Sequence, residues 1–173
     1  TLEQQLRLPP CGLHWRTLAN VAYYRGQAEA AAGICGQMVA AARTSGDDGR
    51  LVHALYMASV GLASAGRTDD SRRLATEAGI VATRTTNPTS LATASFAQAL
   101  TLQHEDPERA ASVLLDRAAT HGAAANNRWI VAFARTELVS LAGRRGDLDT
   151  ALAIAQDVID QWYRAGDWAN QWL

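Results

Sequence analysis

Four histidines, seventeen acidic side chains and two cysteines are the groups in this 173-residue chain that could hold a metal or move a proton. Their densest cluster is His104-Glu105-Asp106. A divalent metal needs three or four donors converging on one point. These three fall in a single tight turn, where a helix end with its cap accounts for them. His14, His53 and His121 are scattered, and none shares a helix with a second histidine or a paired carboxylate at ligand spacing. Asp47-Asp48 and Asp69-Asp70 are adjacent carboxylates of the kind that perform acid–base catalysis, but each pair precedes a helical pattern, where acids stabilise the positive end. Gly61 to Gly66 has the spacing of a phosphate-cradling loop without the Lys that must follow it. No Ser sits in G-x-S-x-G, and neither Cys11 nor Cys35 carries a local catalytic signature. The residues therefore specify no reaction, and the expectation is a non-enzymatic chain with no catalytic residue, metal or cofactor.

The elements that would position any site are clearest at Arg144-Arg145-Gly146-Asp147-Leu148-Asp149-Thr150-Ala151-Leu152. Two arginines complement the negative end of one helix, and Gly146 can take the left-handed conformation that ends it. Asp147 or Asp149 can then cap or favour the start of the next. That next helix has an apolar stripe of Leu148, Ala151, Leu152, Ala155, Val158, Ile159 and Trp162 at helical spacing. The pattern recurs at an interval of 40. Gly146, Asp106, Gly66 and Gly26 are turn residues; Ala151, Ala111, Ser71 and Ala31 are small; Ile154, Leu114, Leu74 and Ile34 are large and apolar. A fixed period of small and large positions is the mark of stacked helical repeats.

Composition agrees with an all-α chain. About a fifth of the residues are Ala and only four are Pro. The formal net charge is −1, and all sixteen basic side chains are Arg, interspersed with acids. That leaves no electrostatic footprint for nucleic acid or an anionic membrane, and the absence of Lys reads as the coding bias of a GC-rich genome. Cys11 and Cys35 read as reduced, packed thiols of a cytoplasmic protein. No signal-peptide pattern opens the chain and no apolar run approaches spanning length.

In order, residues 2–6 could form a short helix ended by Pro9-Pro10. Hairpins of two helices follow at about 13–43, 50–84, 88–120 and 128–165, with Asn87 capping a helix that has Pro88 at its first position. His121 to Asn127 reads as a loop. Gly33 and Gly36 weaken their helix by about 1 kcal/mol each, offset by close approach of a neighbouring helix. A fifth, truncated unit opens at 167–173. The chain starts at Thr1 without Met and stops inside that pattern, so residues 1–173 read as a single helical-repeat domain cut from a larger protein.

The stretch Gly146-Asp147-Leu148-Asp149-Thr150-Ala151 resembles the middle of a tetratricopeptide repeat. So does Trp15-Arg16-Thr17-Leu18-Ala19 followed by Gly26 and Ala31. The likeness covers all four hairpins, although 40 residues exceeds the usual 34, and Gln98 and Arg135 stand where the pattern asks for apolar side chains. These departures resemble the longer tetratricopeptide-like repeats of large bacterial regulators. The ending from Trp162 to Leu173 is similar to the C-terminal helical region of actinobacterial signalling ATPases, LuxR-type transcriptional regulators among them. The resemblance implies a right-handed α-solenoid of four hairpins, in a cytoplasmic regulator whose repeats receive a ligand, peptide or protein.

If the hairpins stack as in that family, the first helix of each lines a concave face. The 40-residue step places Arg16, Asn20, Tyr23, Tyr24, His53, Tyr56, Phe96, Gln103, His104, Phe133, Ser140 and Arg144 there. Three of the four tyrosines and both phenylalanines are among them. Aromatic pockets with Arg16 or Arg144 for a carboxylate would suit a peptide. The other reading is that the aromatics fill the seam between first helices as core. Trp162, Tyr163, Trp168 and Trp172 cluster at the C-terminal end, as a seam to the fifth unit or a surface for self-association. Two functions remain: a protein- or peptide-binding, ligand-sensing module, or a structural oligomerisation scaffold with no ligand site.

Overall fold

The computed structural model describes residues 12–103 and 105–165; the side chains of residues 12–16, Asn20, Ser64, 109–112 and Ala165 fall outside that description. Among the described residues the protein is all-α, with no strand. The helices are α1 (Gly12–Tyr24), α2 (Ala28–Ser45), α3 (Asp48–Ser64), α4 (Thr68–Thr85) and α5 (Pro88–Leu102). Then come α6, a continuous helix over 107–124, α7 (Arg128–Arg144) and α8 (Leu148–Ala165). None of them is long and apolar enough to cross a membrane.

Local chemistry sets the boundaries. Left-handed residues stand at Gly26, Gly46, Gly66, Thr86, Asn126 and Gly146, spaced by 20 or by twice that. Each follows a helix end, where positive φ turns the chain and lets the last carbonyls find N–H donors. Asp47, Asn87 and Asn127 cap α3, α5 and α7, their side chains accepting from the N–H of Arg50 (3.0 Å), Thr89 (2.9 Å) and Ile130 (3.3 Å). Pro88 opens α5, where a missing N–H costs nothing.

One unit departs from the rhythm. α2, α4 and α8 start at Ala28, Thr68 and Leu148, but α6 starts a residue early at Pro107. Its segment Ala110–Leu115 is π-helical. A π turn takes in more residues than an α turn, so the surplus is absorbed there and Asn126 returns to step with Gly46 and Thr86. α6 then continues as α-helix to Ala124. The loop expected at His121–Asn127 therefore shrinks to the turn after Ala124.

Each helix packs against the next in the chain, and α1, α3, α5 and α7 also touch in succession. α5 is the most enclosed. It carries no charged side chain, and Ser90, Thr93, Ser95 and Thr101 are buried on it with Ala92, Ala94, Phe96, Ala97 and Ala99. A helix apolar all round has to be surrounded, and α3, α4, α6 and α7 surround this one. Its hydroxyls turn back to their own backbone, Thr93 to Thr89 O (2.8 Å) and Thr101 to Gln98 O (2.9 Å). One core gathers around Val52, Leu55, Ala78 and Val81, a second around Phe96, Leu115, Ala118 and Leu141. Each buried Leu is worth about 1.5–3 kcal/mol. The hydroxyl of Ser71 donates to Ser59 O at 2.7 Å and ties α4 to α3.

The apolar positions expected on α8 divide. Ala151, Val158 and Trp162 are buried, whereas Leu148, Leu152 and Ile159 are exposed. Gly33 and Gly36 also differ from expectation: they are exposed, and an added Cβ would meet nothing within 4 Å. Close helix approach occurs instead at Gly61, against Ala32 and Cys35, and at Gly122, against Ile130 and Val131. The two polar departures have partners. Gln98 occupies space left open by Gly79 on α4, and Arg135 pairs with Asp157 on α8.

Candidate functional site

Rings from α3, α5, α7 and α8 form a connected line. On α3, His53 and Tyr56 lie one turn apart, centroids separated by 6.1 Å. Tyr56 reaches Phe96 of α5 at 6.0 Å, and Phe96 reaches Phe133 of α7 at 6.4 Å. Phe133 meets Trp129 one turn earlier at 5.5 Å, and both meet Trp162 of α8, at 6.2 and 5.0 Å. The line forms because α3, α5 and α7 touch in succession, α8 packs on α7, and each contributes a ring on the touching side. Such tilted and edge-on contacts are worth about 0.5–1.5 kcal/mol beyond burial.

Exposure along the line is uneven. Phe96 is 3% exposed and belongs to the core, so the pocket alternative fails for it. Tyr56 and Phe133 are half-buried, packed against the same core. Burial, then the charge of Glu137 and then that of Tyr24, pushes the Tyr56 phenol up to about 12. It therefore stays protonated as a neutral donor at physiological pH. Open rings stand on α1 and at Trp129. Tyr23 and Tyr24 stand edge to face at 5.5 Å, and Tyr24 is 84% exposed. Trp129 is 51% exposed. Beside it lies an open hollow of about 510 Å³ lined by Thr89, Asn126, Asn127, Arg128, Trp129 and Trp162, among others.

The other expected surface residues are dispersed. His53 and Gln103 are half-buried, Arg144 is exposed, and the Ser140 hydroxyl bonds to Thr136 O (3.4 Å). Arg16 and Asn20 lie on α1 with side chains outside the described residues, as does the whole of His104. Trp162 is 5% exposed, packed inward on α7, so it does not itself present a surface; Trp168 and Trp172 lie outside the described residues. Sequence reasoning missed Trp129 because the 40-residue step pairs it with Thr89 and Gly49, neither aromatic. The available signal was its place one helical turn before Phe133.

The acids that could have served catalysis have structural partners. Asp47 caps α3, Asp48 pairs with Arg84 (3.0 Å), and Asp69 approaches Arg72 (3.7 Å). Hydrogen bonds from Arg67 and Arg73 hold the Asp70 carboxyl below its usual range. Hydrogen bonds from Thr150 do the same for Asp147, the cap of α8. Cys35 is buried, which pushes its thiol up to about 11 and withholds the reactive thiolate. Among the described residues no three metal-ligating side chains converge. What the line can do chemically is offer flat apolar faces and a few hydrogen bonds. Compared with protein families and with curated proteins, the chain finds no match.

Proposed function

We propose that this chain is a non-enzymatic binding module: a tetratricopeptide-like, right-handed solenoid of four hairpins that holds an extended peptide or protein segment along its first helices. The reading of the fold is supported by the order of contacts, in which each helix meets its chain neighbours and the first helices meet one another. Left-handed residues at regular intervals support it too. The observation that carries the function is the line of rings from Tyr56 to Trp129, buried at Phe96 and open at Trp129, with Tyr24 exposed on α1. An extended ligand gains most where aromatic faces remain accessible and rigid. Tyr24 and Trp129 are the anchors, and Arg128 beside the hollow is a partner for a ligand carboxylate. By its sequence resemblance the module belongs to a cytoplasmic bacterial transcriptional regulator of the signalling ATPase type, where ligand capture would be relayed to an ATPase or DNA-binding domain.

Selection of a random peptide library on the immobilised protein tests this. The reading expects enriched peptides whose binding falls at least tenfold in Tyr24→Ala/Trp129→Ala, with circular dichroism verifying that the double variant keeps its helical signal and stays folded at the assay temperature, since both rings are at least half exposed. No enrichment, or enriched peptides that bind the double variant equally well, would refute it.

A further inference from the structure

The hollow beside Trp129 brings two kinds of chemistry together. Its apolar part is a pair of indoles, the buried Trp162 and the half-exposed Trp129, set edge to face with centroids 5.0 Å apart. Its polar part comes from Thr89 at the start of α5 and from Asn126, Asn127 and Arg128 at the start of α7. These groups supply hydrogen-bond donors, and among the described lining residues there is no acid. Asn127 Oδ1 accepts the Ile130 N–H at 3.3 Å, which leaves the Nδ2–H2 group to donate. Arg128 is exposed and has no acid partner among the described residues, whereas Arg43, Arg84, Arg135 and Arg145 each have one. Flat apolar faces beside a guanidinium fork suit an aromatic group that carries a carboxylate. The volume of about 510 Å³ lies in the range of small-ligand sites.

We infer that the hollow holds the C-terminal residue of the bound peptide, and that this residue is aromatic. Its ring lies against Trp129 over the Trp162 floor, and its terminal carboxylate accepts from Arg128, with Asn127 and Thr89 as further donors. The residues before it run over Phe133 toward Phe96 and Tyr56, along the line of rings. Position in the line selects a chain end over a side-chain carboxylate. Trp129 is the last ring on α7 before the turn, so a ligand that follows the rings finishes at the hollow. Only at a C-terminus do an aromatic ring and a carboxylate spring from one Cα, close enough to share a single hollow. The inference rests on the peptide-binding reading and adds which end of the peptide is read. A module that captures internal segments equally well would sink this inference alone.

Two random peptide libraries panned on the full chain are the test, one displayed with free C-termini and one with its C-termini fused to a carrier. The free-ended library is expected to enrich at least tenfold more, converging on Phe, Tyr or Trp at the last position. Equal enrichment of both libraries keeps the peptide-binding module and overturns the C-terminal reading; no enrichment of either refutes both. An enriched peptide is then synthesised as the acid and as the C-terminal amide, and binding is followed by fluorescence anisotropy. The acid is expected to bind at least tenfold more tightly. Arg128→Gln, an exposed substitution whose folding circular dichroism verifies, is expected to bring the acid down to the level of the amide and leave the amide unchanged. A variant that merely unfolded would lose both. Trp129→Ala is expected to remove the preference for an aromatic last residue. Discrimination between acid and amide that survives Arg128→Gln overturns the inference. So does N-acetylphenylalanine that binds as tightly as the peptide, which would give the hollow to a free aromatic acid.

Discussion

Replacing Gly122 by Ala should destabilise the protein, although the same change elsewhere in a helix stabilises. A Cβ at Gly122 would lie 2.3 Å from Ile130 Cγ2, 3.0 Å from Val131 Cγ2 and 3.4 Å from the Val131 backbone N. Carbon atoms prefer about 3.5–4.0 Å, so the first contact is more than 1 Å too close. Ile130 is buried and its methyl is fixed by the branch at Cβ, so it has no rotamer to escape into. The third contact, to backbone, is at ordinary van der Waals distance, so the strain lies in the two methyl contacts, the Ile130 one above all. Overpacking of this kind costs about 1–3 kcal/mol, against a gain of about 1 kcal/mol from helix propensity. The net loss is up to about 2 kcal/mol. Gly36→Ala is the reference: the site is helical and exposed with nothing within 4 Å, so only the propensity gain applies. At about 2–4 °C per kcal/mol for a chain of this size, the two variants should melt several degrees apart, one above and one below the parent. Thermal unfolding followed by circular dichroism measures this directly. Ile130→Leu moves the branch from Cβ to Cγ and removes the offending methyl. The double variant Gly122→Ala/Ile130→Leu should therefore recover most of the loss, a coupling that two independent sites would not show. If Gly122→Ala melts as high as Gly36→Ala, or Ile130→Leu fails to rescue it, the close approach of α6 to α7 is wrong.

Alkaline pH should weaken the fold through the buried Cys35 and the half-buried Tyr56. Burial raises Cys35 from 9.0 to about 11, and burial with neighbouring charge raises Tyr56 from 10.0 to about 12. Both stay protonated in the folded state while the unfolded chain ionises. Their contribution is therefore complete below about pH 9 and is lost as pH rises through 11 to 12. Melting temperature should fall across that window, and less steeply in Tyr56→Phe; parallel curves would remove Tyr56 as a cause. At the turns, Gly146 has φ +78° and an added side chain would touch nothing within 4 Å, so Gly146→Val isolates backbone strain and should cost about 1–2 kcal/mol. Thr86 holds φ +52° with a β-branched side chain, so Thr86→Gly should stabilise or be neutral. Chemical denaturation of the pair reads both signs, and equal midpoints would mean that these turns carry no strain.

Short-range chemistry made much of the helical frame legible. Gly146 takes positive φ, Asn87 caps α5 and Pro88 opens it because these features depend only on residues a few places apart. The small positions Ser71, Ala78 and Ala151 are buried for a related reason: they recur at the same helical phase. Tertiary structure alone decided which apolar groups are covered. Leu152 and Val158 belong to one amphipathic pattern, yet the first is exposed and the second buried, because α7 reaches only one side of α8. Sequence reasoning placed Phe96 on the binding face and passed over Trp129. One is sealed between Tyr56 and Phe133, and the other stands at the edge of a hollow. Periodicity fixes the direction in which a side chain leaves its helix, but burial requires a second surface to arrive there, and the arrival depends on residues far away in the chain. The displaced start of α6 shows the same division, since its π-helical segment settles a conflict between a local turn and the register imposed by α5 and α7.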